Sequence, residues 1–139
     1  MASRLISFLR YWLPTLFVAA VIFYLSNFPG DTFPDFQIPM EDKMVHVVLY
    51  AALGFVICRA LTAPFRNSPS FIRTRWAMWT TVLLCFAYGL SDEFHQTFVP
   101  DRTAEFLDLV ADLIGGTLGG FLAIGYRHLV FRLESRRAS

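Results

Sequence analysis

Four apolar segments alternate with polar stretches along the chain. They cover residues 5–25, 41–61, 75–98 and 104–126. Each is as long as the helix of roughly 20 residues that crosses the hydrocarbon core of a bilayer. The connections interrupt any continuous helix, because residues 27–39 hold three prolines, residues 62–75 hold two, and Pro100 disfavours helix at the residue before it. The pattern predicts an all-α membrane protein in which residues 1–139 form a single domain, a bundle of four transmembrane helices.

Composition supports this prediction. The 139 residues are 55% hydrophobic and 17% aromatic, with a mean hydropathy of +0.49, which is more apolar surface than one soluble core of this length would bury. The first segment resembles a signal peptide, but no small-residue cleavage site follows it, so we expect a retained helix. Cys58 and Cys85 both fall inside apolar segments, where free thiols that pack as small hydrophobes are expected.

Charge separates along the predicted bundle. Ten of the twelve lysines and arginines fall on one side of the predicted bilayer, and Lys43 and Arg102 fall on the other. The ten are Arg4, Arg10, Arg59, Arg66, Arg73, Arg75, Arg127, Arg132, Arg136 and Arg137. The positive-inside rule therefore predicts cytoplasmic N and C termini. Ten of the eleven acids, all but Glu134, belong to the opposite half, so the polar chemistry is predicted to face outward.

The second segment begins with polar residues on one helix face. Asp42, His46 and Tyr50 follow one another at intervals of four, and Lys43 lies beside them. The apolar body that follows, residues 44–58, covers only about 22 Å of a hydrocarbon core of about 30 Å. The polar residues should therefore lie within the membrane and point into the bundle. A simple interfacial helix start is the alternative.

The third segment ends in Asp92, Glu93, His95 and Gln96. Asp92 and His95 are three residues apart, as are Glu93 and Gln96, which gives two adjacent polar ridges. A carboxylate that orients an imidazole makes a general base, and the same pair could also donate oxygen and nitrogen to a metal ion. A solvated helix end is the alternative.

The fourth segment carries an acidic stripe. Glu105, Asp108 and Asp112 recur at intervals of three and four, and a hydrocarbon boundary near residue 104 would put Asp112 about 12 to 14 Å deep. A carboxylate at that depth must be protonated, hydrated, metal-bound or paired, and Lys43 and Arg102 are the local cations. Further along, two small-xxx-small pairs allow close helix approach, either within the chain or in a homodimer. They are Gly115/Gly119 and Gly116/Gly120.

Together these residues resemble the VanZ-like family. The resemblance rests on Asp42-Lys43-x-x-His46-x-x-x-Tyr50, on Ser91-Asp92-Glu93-x-His95-Gln96-x-Phe98-x-Pro100-x-Arg102, and on Asp108 with Gly116. It implies a four-helix, multi-pass protein of the bacterial inner membrane with its polar site on the periplasmic or extracellular side. The name-giving member confers low-level resistance to teicoplanin. The chain departs from many relatives at Asp101, where they have a small residue, and at Asp112, where they have asparagine.

Two classes of function follow. The first is a hydrolase or transferase that acts on a lipid-linked or cell-envelope substrate, with catalytic residues His46, Asp92, Glu93, His95 and Asp108. Substrate would be bound by Lys43, Tyr50, Gln96, Arg102 and Asp112. A divalent metal would be held by Asp92, His95 and Asp108. The second class is non-catalytic: ligand binding, proton-coupled transport or an accessory membrane subunit. The expected partners are the lipid bilayer, an envelope substrate and a second copy through the four glycines, with no nucleic acid.

Overall fold

The computed structural model describes residues 2–29, 41–63 and 70–138, and these residues form four helices with no strand among them. The helices are α1 (Ala2–Ser26), α2 (Glu41–Thr62), α3 (Phe71–Gln96) and α4 (Phe106–Ala138). The predicted all-α fold class is therefore confirmed.

Three of the four helices are long and apolar enough to cross a membrane. These spans are Leu5–Ser26 in α1, Asp42–Thr62 in α2 and Phe106–Arg137 in α4. The 26-residue α3 is long enough but less apolar, because its short apolar body lies between Arg75 at one end and Asp92 and Glu93 at the other. The polar residues Asp92, Glu93 and Gln96 at its acidic end are buried, so that end belongs to the interior of the bundle.

The helix boundaries differ from those predicted, most clearly in α4. This helix begins at Phe106 instead of residue 104, because Asp101 adopts a left-handed conformation (φ 56°) and the chain stays non-helical through Glu105. It also continues to Ala138, beyond residue 126, where the fourth segment was predicted to end. No proline or glycine follows Gly125, so nothing in that segment stops the helix.

Consecutive helices run in opposite directions, and two ends of the bundle result. The acidic end is where α2 and α4 begin, and Lys43 meets Glu105 there. The basic end is where α1 and α3 begin, and Arg59 of α2 reaches the backbone carbonyl oxygen of Arg10 there. The two termini lie on the basic side of the bundle, in agreement with the predicted alternation of the helices.

The closest helix pair is α2 with α4, and glycines make the approach possible. A Cβ atom on Gly54 would collide with the backbone of Gly116, and one on Gly119 would collide with the backbone of Ala51. Four of the five glycines of α4 are buried, two against α2 and two against side chains of α3. They are Gly115 and Gly119 on α2, and Gly116 and Gly120 on α3. Packing within the chain is thus their observed use, and homodimerisation stays a prediction.

The buried core is small, and much of the outer surface is apolar. Tyr50, Leu53 and Cys85 are at most 1% exposed, and Cys58 and Cys85 are free thiols, as predicted. Large apolar side chains such as Phe17, on α1, point outward instead. Lipid can cover that surface without the cost that water would impose.

Candidate functional site

Lys43 organises the acidic end. Its ammonium group lies 2.6 Å from Glu105 Oε2 and 3.0 Å from Asp108 Oδ1, and it also contacts the neighbouring carboxylate of Asp42. The side chain of Asp108 is buried and that of Glu105 is half exposed. Lys43 therefore joins the start of α2 to the start of α4 and neutralises part of the acidic stripe.

His46 lies one turn deeper and is oriented by Asp112. Nδ1 of His46 is 2.8 Å from Oδ1 of Asp112, and Nε2 is 4.0 Å from Oδ2 of Asp108. Asp112 is fully buried, so this carboxylate is the deepest polar group of the site. A carboxylate that holds one imidazole nitrogen fixes the ring and leaves the other nitrogen for a proton or a metal ion.

The end of α3 closes the site from the other side. Oε2 of Glu93 accepts a hydrogen bond of 2.7 Å from the backbone N–H of Glu105, and its buried Oε1 has no hydrogen-bond partner within the described part of the chain. Asp92 accepts a hydrogen bond of 3.4 Å from Gln96 Nε2 and interacts electrostatically with Asp112. Glu93 and Asp92 thus add two more buried carboxylates to those of α4.

The inner wall is formed by Tyr50 and Gly89. The ring of Tyr50 stacks on His46, with centroids 6.3 Å apart and planes at 10°. Its hydroxyl is buried and meets no hydrogen-bond partner among the described residues. Gly89 leaves room for Asp112, since a Cβ there would lie 2.6 Å from Asp112 Oδ2. The site therefore extends from a partly exposed mouth at Lys43, whose side chain is 12% exposed, to the fully buried Asp112.

Two predicted site residues lie away from this cluster. His95 faces α1, where Nε2 is 3.2 Å from Asn27 Oδ1 and the ring lies 4.8 Å from that of Phe23. Arg102 donates from Nε to the backbone carbonyl oxygen of Phe28 at 3.2 Å. In these positions His95 links the end of α1 to α3, and Arg102 links it to the turn that follows α3. Their predicted roles in catalysis and substrate binding stay predictions.

The residues that could hold a metal ion differ from the predicted set. His46, Glu93 and Asp108 each present a donor atom, and the three atoms lie within 4.8 Å of one another. All three residues are buried, at 9%, 5% and 6% exposure. A second group, Asp42 with Glu105 and Asp108, is more exposed. The predicted set of Asp92, His95 and Asp108 does not form such a group, because His95 turns toward Asn27.

The site has an excess of acid. We use the name polar cluster for eight residues: Asp42, Lys43, His46, Asp92, Glu93, Glu105, Asp108 and Asp112. Six of them are carboxylic acids, and Lys43 is the single permanent cation. Carboxylate and imidazole donors suit a hard or borderline divalent cation, and one such ion would balance the surplus. The arrangement can bind a cation, hold a proton, or do both.

Sequence reasoning undervalued two residues of the site. Glu105 was part of the acidic stripe, yet its backbone N–H and carboxylate both serve the cluster, by binding Glu93 and Lys43. Its place three residues before Asp108 was the available signal. Gly89 gave no signal, because a lone glycine in an apolar helix does not reveal which side chain it accommodates.

Fold and site define a small all-helical membrane protein with a buried polar cluster of histidine and acids at one end. A model of the VanZ/LLP1 family matches residues 11–131, and the chain belongs to that family. It is also similar to an uncharacterized protein of Schizosaccharomyces pombe, with 30% identity over 123 residues, which is 88% of this chain and 68% of that protein. No solved structure matches the chain.

Proposed function

We propose that this VanZ-family protein is a membrane enzyme that uses a divalent cation to act on the phosphate group of a lipid-linked or envelope substrate. The observation that carries the proposal is the group formed by His46, Glu93 and Asp108. These three residues offer buried donor atoms within 4.8 Å of one another. They come from α2, α3 and α4, so the site exists only when the three helices are packed.

The surroundings of this group support a cation. Asp112 accepts a hydrogen bond from Nδ1 of His46 when that nitrogen carries the proton, which leaves Nε2 toward Asp108 and Glu93. A second carboxylate behind a ligating histidine is the usual support of such sites. The buried Oε1 of Glu93 has no hydrogen-bond partner among the residues that the structure describes, and a bound cation would compensate its desolvation.

The position of the site favours an amphiphilic substrate. Lys43 lies at the mouth, at the start of the α2 span, where a phosphate at the membrane surface can reach it while its lipid chain stays in the bilayer. The bound cation would polarise the phosphate and promote ionisation of water. The oxygen of water or of an acceptor hydroxyl bonds to phosphorus, the bond to the leaving oxygen breaks, and that oxygen gains the proton lost by the attacking group.

We propose that the site lies on the periplasmic or extracellular face of a bacterial inner membrane, since ten of the twelve lysines and arginines fall on the opposite side of the predicted bilayer. Teicoplanin resistance would then follow from a change in the cell envelope.

The test is turnover of a synthetic polyprenyl diphosphate by the full chain in lipid nanodiscs with Mg²⁺ or Mn²⁺. We expect phosphate release that Glu93→Gln lowers at least about 100-fold, because the amide cannot replace a carboxylate ligand. Asp101→Asn is the matched control, since this exposed acid lies outside the cluster and asparagine tolerates its left-handed backbone. Equal rates in both variants would contradict the proposal.

The second candidate is proton-coupled binding or transport without catalysis. The observation that favours it is the hydrogen-bonded pair of His46 with the fully buried Asp112, because a histidine and a carboxylate inside a membrane can pass a proton. Proton flux in proteoliposomes that depends on Asp112 but produces no chemical product would select this alternative over the enzyme.

A further inference from the structure

A second polar site lies at the basic end of the bundle. A cavity of about 340 Å³ opens there between α1, α2 and α4. Three arginines line it, one from each helix: Arg10, Arg59 and Arg127. Because each of the three helices contributes one guanidinium group, the site forms only when these helices pack together.

The cavity lies at the opposite membrane boundary from the polar cluster. Arg59 follows Lys43 by 16 residues of continuous helix, which is about 24 Å along α2. It belongs to the last turn of that helix. The hydrocarbon core is about 30 Å thick. Because Lys43 lies at one boundary of this core, Arg59 lies near the other, where the lipid phosphates meet the hydrocarbon.

Arg59 is held in place without an acid. Nη2 donates to the carbonyl oxygen of Arg10 at 3.4 Å, and the guanidinium carbon lies 5.2 Å from the ring centroid of Tyr11. Its buried Nε has no hydrogen-bond partner, and neither Arg10 nor Arg59 forms an ion pair within residues 2–29, 41–63 and 70–138. A fixed guanidinium with free donors is suited to the oxygens of a phosphate.

The described residues that line the cavity carry a net positive charge. They include Glu134 beside the three arginines, which leaves a balance of two positive charges among them. Tyr126 and Phe131 add aromatic surface beside the arginines. The wall is cationic in one part and apolar in another, so it fits a ligand that has an anionic group and an apolar part. A small soluble anion would leave the apolar part uncovered.

We propose that this basic cavity binds the phosphate of an anionic phospholipid from the adjoining leaflet, with Arg59 as the principal contact. The lipid's glycerol and upper chain would lie against Tyr126 and Phe131. Basic pockets between transmembrane helices bind anionic headgroups in this manner. The site is separate from the polar cluster and does not depend on the enzymatic activity proposed for it.

The test measures lipid binding to the purified full chain in detergent by native mass spectrometry, with phosphatidylglycerol and phosphatidylcholine as probes. We expect saturable binding of phosphatidylglycerol that is at least about tenfold tighter than that of phosphatidylcholine. Arg59→Gln should weaken it about tenfold, because a charge-assisted pair is lost. Arg132→Gln is the matched control, since this exposed arginine of α4 does not line the cavity.

Three results would overturn the proposal. The first is equal affinity of Arg59→Gln and Arg132→Gln for phosphatidylglycerol, and the second is equal binding of the two lipids by the unaltered chain. The third is inorganic phosphate competing at concentrations like those of the lipid, which would make the cavity a site for soluble anions. If Arg59→Gln fails to fold, Arg10→Gln replaces it, because the exposed Arg10 can lose its charge without disturbing the core.

Discussion

The imidazole of His46 and the carboxylate of Asp112 form a buried pair, with Nδ1 and Oδ1 2.8 Å apart across the interface of α2 and α4. The two residues are 66 positions apart in sequence, and the glycine-lined approach of the two helices brings them together. Asp112 has no exposed surface, so its interaction with His46 is the main compensation for burying that carboxylate.

Two substitutions of Asp112 test the contribution of its charge and that of its hydrogen bond separately. Asp112→Asn should keep a hydrogen bond to His46 and the fold, while Asp112→Ala removes both the bond and the charge. We expect Asp112→Ala to weaken Mn²⁺ binding by about 10- to 100-fold and Asp112→Asn to weaken it less, because the outer partner of a ligating histidine sets its orientation. Isothermal titration of the full chain in detergent measures both. Equal, unchanged affinities would show that Asp112 does not support a cation site.

Close packing of α2 on α4 predicts an unusual effect of adding one methyl group. Gly119→Ala should destabilise the protein by about 1 to 3 kcal/mol, because the new Cβ would meet the backbone of Ala51. Gly125→Ala is the matched control on the same helix, where a Cβ meets nothing within 4 Å. There the higher helix propensity of alanine should stabilise by up to about 1 kcal/mol. Thermal unfolding in detergent measures both, and a neutral Gly119→Ala would contradict the packing.

Lys43 should matter for stability more than its partly open position suggests. Lys43→Gln leaves Asp108 buried without its cation, and we expect a loss of about 3 kcal/mol. Glu105→Gln removes the half-exposed partner of the same lysine and should cost less than about 1 kcal/mol. The double variant Lys43→Gln with Asp108→Asn should recover part of the loss in chemical unfolding. Additive effects would mean that the two side chains do not interact.

His95 distinguishes two candidate metal sites. It belongs to the predicted set of Asp92, His95 and Asp108 but not to the group of His46, Glu93 and Asp108. Because its ring packs on Phe23 and bonds to Asn27, His95→Ala should loosen α1 from α3 and lower the unfolding temperature by several degrees. Mn²⁺ affinity should change less than about twofold, since His95 does not belong to the candidate group of His46, Glu93 and Asp108. Loss of cation binding with no loss of stability would instead support the set of Asp92, His95 and Asp108.

The fold could be predicted because it depends on local patterns. Apolar segments of membrane length and proline-rich connections define the helices, and the two small-xxx-small glycine pairs of α4 indicate a close helix contact. Helix ends were less predictable: residues 104 and 105 carry no helix-breaking signal, yet the left-handed Asp101 delays α4 to Phe106. The apolar pattern of the fourth segment ends at Tyr126, so the sequence does not predict that α4 continues through the arginines that follow.

The site could be predicted in part. Spacing along single helices placed Lys43 beside His46 and put Asp108 on one face with Asp112. Which residue pairs with which across helices is a property of packing, so the spacing of Asp92 and His95 does not reveal their partners. Asp92 turns inward to Gln96, whereas His95 turns to Asn27, just after α1.

The most direct test of the proposed cation site is the affinity of the purified full chain for Mn²⁺, measured by titration with the unaltered protein and four variants. We expect one bound ion, with affinity lowered at least about tenfold in His46→Ala, Glu93→Gln and Asp108→Asn, and unchanged in Asp101→Asn. Circular dichroism shows that each variant is folded. No binding by the unaltered chain, or equal binding by all four variants, would contradict a cation site formed by His46, Glu93 and Asp108.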